Sequence, residues 1–166
     1  MKKLFTLLFI ASTLTLTSCG TTDKKADAEG STVSTDSSAS SQALEINADS
    51  DSGKAGPMKT VYFDFNSAVL RSDTQSALSN NAQFLKDNTS VQVQVEGHCD
   101  ERGGVQYNIA LGERRARAVK RYLVSMGVDS SRISTISYGK ERPIAFGHGE
   151  DAWGQNRRGN FVVTAK

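Results

Sequence analysis

Val91, Val93 and Val95 alternate with Gln92, Gln94 and Glu96, and this period of two predicts a half-buried strand over residues 91–96, ending at Gly97. A second alternation, Val61, Phe63 and Phe65 against Tyr62 and Asp64, predicts a strand over 60–65. Between the two the period lengthens. Leu78, Ala82 and Leu85 recur at helical spacing, one apolar stripe on an otherwise polar segment. Ser72 reads as the N-cap of that helix, with Gln75 completing a capping box. A second helix is predicted from about Gln106, apolar at Ala116, Val119, Leu123 and Met126, with Gly127 placed to close it. Residues 133–138 and 160–164 supply two more strands. The order βαβαββ argues an α/β sandwich, with the helices laid on one sheet.

The chain before this pattern is different in kind. Lys2 and Lys3 precede an apolar run from Leu4 to Leu16, which ends in Leu16-Thr17-Ser18-Cys19. Residues 1–18 therefore read as a signal peptide, too short to remain as a membrane span. The Leu-Thr-Ser-Cys ending resembles a bacterial lipobox, which implies acylation of Cys19. Gly20, rather than Asp, follows it and implies release to the outer membrane. Several acyl chains on one residue anchor stably, where one alone is marginal. From Gly20 to Pro57 the composition turns to Ser, Thr, Ala, Asp and Gly, with few large aliphatics, so residues 19–57 read as a lipidated start and a flexible tether. Residues 58–166 are the right size for one compact domain.

Cysteine and charge refine this picture. The chain has 2 cysteines, so acylation of Cys19 leaves Cys99 without a disulfide partner, and a buried thiol is its expected state. The net charge is only +2. Arg114, Arg115, Arg117, Lys120 and Arg121 crowd the second helix, but an export signal and the lack of interleaved aromatics argue against nucleic acid as a partner. Most of that run reads as a solvated face.

The chemistry concentrates where the central strand meets the second helix. Gly103-Gly104 lets the chain turn sharply, and the helix start beyond it offers free N–H groups to an anion. Asp100 adds an acceptor for a cation, and Arg115 a planar fork for a carboxylate. Together they suit a small zwitterion. His98, Cys99, Asp100 and Glu101 are adjacent and diverge in direction, so no metal or cofactor is expected. Glycan hydrolysis needs two carboxylates facing each other across a bond, which loop neighbours do not provide, and no enzymatic activity is expected. A structural lipoprotein whose loop merely caps a helix remains open from local pattern, as does, more remotely, a glycan hydrolase.

The run GHCDERGGVQYNIALGERRA, with VYFDFNSAVL upstream and ISYGKERPIAFG and NRRGNFV downstream, resembles the OmpA-like peptidoglycan-binding domain over about residues 60–163. The resemblance implies helices on a four-stranded mixed sheet and noncovalent binding of diaminopimelate in peptidoglycan stem peptides. It implies that Asp100 and Arg115 contact the ligand, with Gly103, Asn108 and Leu111 at the motif's loop and helix positions. Asp64, Asn66, His98, Arg157 and Arg158 would stand behind them. For a lipid-anchored member it further implies a place on the periplasmic face of the outer membrane. The partners would be peptidoglycan, the β-propeller protein of the Tol system and other OmpA-like proteins. Cys99 departs from the pattern, where Thr or Ala is usual.

Overall fold

The computed structural model describes residues 44–166; residues 1–18, Cys19 and the first part of the expected tether lie outside the described residues. Its elements run β1 (Val61–Tyr62), α1 (Ser72–Asp87), β2 (Gln92–His98), α2 (Val105–Ser125), β3 (Ile133–Gly139), α3 (Glu150–Asn156) and β4 (Arg158–Ala165). They form a 4-stranded sheet in the order β1-β4-β2-β3. β2 and β3 are parallel, whereas β4 runs antiparallel to both β1 and β2, so the sheet is mixed. The α/β class and the strand-helix alternation agree with the sequence pattern.

Alternation decides what each face of the sheet carries. Val93 and Val95 of β2, Ile133 of β3, and Phe161 and Val163 of β4 share one core with Leu78, Ala82 and Leu85 of α1 and Ala116, Val119 and Leu123 of α2. Both helices therefore cover the same face. Burying the Val, Ile, Leu and Phe side chains of this set contributes about 1.5–3 kcal/mol each, which makes this layer the main source of stability. α2 ends in a Schellman closure, with Gly127 N–H donating to Val124 O and Val128 N–H to Leu123 O. Met126 caps the helix and is part-exposed, not in the stripe.

Side-chain-free contact sets how low α2 lies on β2. A Cβ built on Gly97 would sit 1.9 Å from the Gly112 carbonyl oxygen. Only hydrogen at both positions permits this approach, and it brings the next turn of α2 against the end of β2.

Several boundaries differ from the sequence pattern. β1 pairs over only two residues, because Phe65 turns outward (58% exposed) and the chain leaves the sheet after Phe63. Arg71, not Ser72, is the N-cap of α1, and its side chain bridges Asp64 and Asp73 at 2.7 and 2.8 Å; Gln75 turns its amide to Leu70 O, so no capping box forms. α3 was not predicted, being one short helix in a glycine-rich stretch. The folded part begins earlier than Met58. Asn47 and Ser50 donate to Val163 O and Phe161 O, extending the β4 edge beyond β1, and Ala55 is fully buried in the core. No helix of the described residues is long and apolar enough to cross a membrane.

Candidate functional site

The passage from β2 to α2 is held from both sides. The β2–β3 register shifts between Gly97 and His98, and Cys99 N–H donates to Gly139 O at 2.8 Å, so Asp100 turns inward as the strand ends. Gly103 takes φ +91°, a conformation an L side chain resists, and α2 starts two residues later with no acidic residue in its first turn. Asn108 closes the loop on itself, its amide donating to Arg102 O at 2.8 Å and Gly104 O at 3.2 Å. Lys140 reaches in from β3's end to Glu101 O and Gly103 O at 3.1 and 2.7 Å.

Beside this loop lies a cavity of about 220 Å³. Leu111, Cys99 and Phe65 give it apolar wall, and Asp100, Arg102, Arg115 and Arg157 give it charge, with Asn66, Gly103, Tyr107 and Asn108 completing the lining. Asp100 is only 3% exposed. Its Oδ1 accepts from Arg102 N and Nε at 3.2 and 3.3 Å, and its Oδ2 from Arg102 Nη2 at 2.6 Å and Arg157 Nη1 at 3.3 Å. Burial pushes the carboxyl up, but hydrogen bonds from Arg102 and Arg157 outweigh it and hold Asp100 below the ordinary carboxylate range.

The three arginines are held very differently. Arg115 is 0% exposed, although the charge run around it reads as a solvated face. Its Nε donates to Ser67 O at 2.8 Å, Nη1 to His98 O at 2.7 Å and to Cys99 Sγ at 3.4 Å, and Nη2 to Asp64 O at 2.9 Å. Four of its five N–H groups are thus committed within the chain, leaving one on Nη2. Arg115 pins the loop after β1 and the end of β2 to α2. Arg157 is similarly fixed, with Nε on Phe63 O at 3.0 Å and Nη2 on Glu150. Arg102 is not. Its guanidinium is sandwiched between the rings of Phe65 and Trp153, 3.9 Å from each centroid, and its only side-chain hydrogen bonds go to Asp100.

The residues singled out from sequence divide accordingly. Asp100, Arg115, Gly103, Asn108, Leu111, Asn66 and Arg157 all line the cavity. Asp64 is near it through its backbone carbonyl, while its carboxylate faces Arg71. His98 and Arg158 do not belong with the cavity by their side chains. His98 stacks on Tyr138, with ring centroids 5.7 Å apart, and Arg158 Nε donates to Asp51 Oδ2 at 2.7 Å, both on the sheet face away from the helices. Burial raises the Cys99 thiol pKa, which keeps it protonated. Among the described residues no group of three or more His, Cys, Asp or Glu side chains is arranged to hold a metal. Phe65, Arg102, Tyr107 and Trp153 were not assigned to the site from sequence. No local signal marks them; the alternation that places Phe65 on the same face as Phe63 predicts it buried, and the structure turns it outward.

A family model described as the OmpA family matches residues 62–157. A peptidoglycan-associated lipoprotein of Pseudomonas aeruginosa is 49% identical over 109 residues, covering 66% of this chain and 64% of that protein. One of Brucella melitensis is 46% identical over 103 residues, covering 62% and 61%. The aligned stretch thus spans less than two thirds of the length of these curated relatives. A crystal structure of the peptidoglycan-associated lipoprotein from Burkholderia pseudomallei superposes with a TM-score of 0.61 at 43% identity, covering 63% of this chain and 88% of that one.

Proposed function

The chain belongs to the OmpA family, and from that premise we propose that it is a lipid-anchored tether between the outer membrane and the cell wall. In this reading Cys19 carries the acyl anchor on the periplasmic face, the segment after it gives reach, and the domain grips diaminopimelate-containing stem peptides without cutting them. One observation carries the proposal: a carboxylate that stays ionised although nearly buried, at the wall of a cavity also lined by arginines. A zwitterionic side chain end fits that arrangement. Its ammonium meets Asp100, and its carboxylate meets the positive side, to which the free N–H groups at the start of α2 and the remaining N–H of Arg115 contribute. That related chains are known as peptidoglycan-associated lipoproteins supports wall association. Partnership with the Tol β-propeller protein and with other OmpA-like proteins belongs to the same reading.

Incubation of the purified protein with cell-wall sacculi, followed by sedimentation, tests the function. The tether reading expects the protein in the pellet and no soluble glycan fragments. Fragment release indicates a hydrolase, and protein left in the supernatant indicates a lipoprotein that does not bind the wall. Cys19→Ser checks the anchor, since the variant should fractionate as soluble once the wall is digested.

A further inference from the structure

Asp100 has no hydrogen-bonding capacity to spare. A carboxylate offers about four acceptor positions, and Asp100 fills them with three contacts from Arg102 and one from Arg157. A ligand ammonium reaches Asp100 only by replacing one of these donors. Arg157 is a poor candidate, because its side chain is 8% exposed and also tied to Phe63 O and Glu150. The side chain of Arg102 is 31% exposed, and Asp100 is its sole hydrogen-bond partner. The Phe65 and Trp153 rings, each with its centroid 3.9 Å from the Arg102 Cζ, hold the guanidinium by apolar surface alone. Arg102 can therefore swing away from Asp100 without breaking any other polar contact of its side chain. Trp153 is in turn fixed by its Nε1–H on Glu101 Oε1 at 2.9 Å.

We propose that Arg102 is the specificity-determining residue of the cavity, a built-in cation that yields Asp100 to the ligand's ammonium and then takes the ligand's carboxylate. The proposal rests on the reading of the cavity as a stem-peptide site. It adds to Arg115, which keeps one N–H for the ligand carboxylate while its other donors are spent on carbonyls and the Cys99 sulfur, the one planar fork that binding itself releases. A side chain ending in both ammonium and carboxylate replaces each ion pair it disrupts. Lysine at the same stem position displaces Arg102 from Asp100 and gives it nothing in return, so the exchange itself selects diaminopimelate.

Calorimetry with two synthetic stem peptides, one containing diaminopimelate and one lysine, tests this on wild type and Arg102→Ala at neutral pH. Wild type should prefer the diaminopimelate peptide by about tenfold or more. Arg102→Ala should weaken that peptide about tenfold while the lysine peptide binds as tightly as before or more tightly, because Asp100 is no longer occupied. Opposite or divergent responses of the two peptides are the signature. Equal weakening of both, with unchanged circular dichroism, assigns Arg102 a merely structural role and overturns the proposal, as does no change in either. Folded wild type that binds neither peptide removes the stem-peptide reading itself, a result distinguishable because it appears before any substitution is made.

Discussion

Buried charge lies in two places along β2 and the loop that follows it, and the two behave as opposites. On the face away from the helices, Glu96 accepts from Asn160 Nδ2 at 2.9 Å, while Asn160 Oδ1 accepts from Ser50 N, Ser50 Oγ and Asp51 N at 3.1, 2.8 and 3.1 Å. Asp51 closes on Arg158. Past the end of the same strand, Asp100 leans on a guanidinium held by two rings and standing beside open space. Both clusters use the same chemistry. The difference lies in whether a partner can leave: backbone-anchored groups seal the first, and a part-exposed side chain closes the second. Buried charge alone therefore marks a structural cluster as readily as a site, and a displaceable partner next to a cavity separates them.

The largest effect should come from a change that strikes both. Gly97 lies between Glu96 and His98, and any Cβ there meets the Gly112 carbonyl, so Gly97→Ala must lift α2 from β2. Overpacking of this kind costs about 3 kcal/mol. The lifted helix also carries Arg115 away from His98 O. Denaturant unfolding should show the stability loss, and sacculus sedimentation the loss of binding; retention of both would mean the contact between the glycines is soft.

Asp100→Ala should separate the two regions. Losing the ion-paired acceptor of the cavity should weaken wall binding about a hundredfold. Stability should fall by about 1–2 kcal/mol, because Arg157 loses one partner but keeps Glu150 and Phe63 O, and Arg102 keeps its rings. Arg158→Met is the mirror case. It strands Asp51 against a buried surface and should cost about 2 kcal/mol, less than a fully buried pair because Asp51 retains some solvent. Wall binding at a protein concentration where the variant is folded should be unchanged. A loss of binding in Arg158→Met without unfolding would join the two clusters into one functional unit.

How much of this was legible depends on the range of the forces involved. Leu78, Ala82 and Leu85 are all fully buried, as their spacing predicts, because helix faces are set by local periodicity. Arg115 could have been placed better: Leu111, Arg115, Val119 and Leu123 fall four apart on one stripe, so Arg115 shares the buried face while Arg114 and Arg117 do not. Residues 44–57 look like tether by composition, and what orders them is hydrogen bonding to β4, at the far end of the chain. Arg102 shows the same limit. Its sandwich joins a residue after β1 to one in α3, and no local pattern records that meeting.

The smallest effect sharpens the comparison by pH. His98 is buried with neither ring nitrogen hydrogen-bonded, and Nε2 lies 3.5 Å from Glu96 Oε2. Burial lowers its pKa, Arg158 pushes the same way, and Glu96 and Asp51 oppose without prevailing. A histidine whose folded pKa lies below the unfolded value of 6.5 stabilises the fold fully above that pH and loses this contribution as pH falls toward the folded value. The loss is at most about 1.4 kcal/mol per pH unit. His148 acts in the other direction, since Glu101 raises its pKa, but it is exposed and its pair is weak. Glu96 and Asp100 enter only at lower pH, their contributions fading as pH falls through values already depressed below 4.5 and 3.8. Between pH 6.5 and about 5.5, then, urea midpoints should fall while stem-peptide affinity stays level, because Asp100 remains ionised throughout. His98→Phe, which keeps a ring against Tyr138, should remove most of that slope. An equal slope in the variant would place the proton elsewhere, and an affinity that fell in step with stability would show that the sealed cluster and the cavity are coupled through β2.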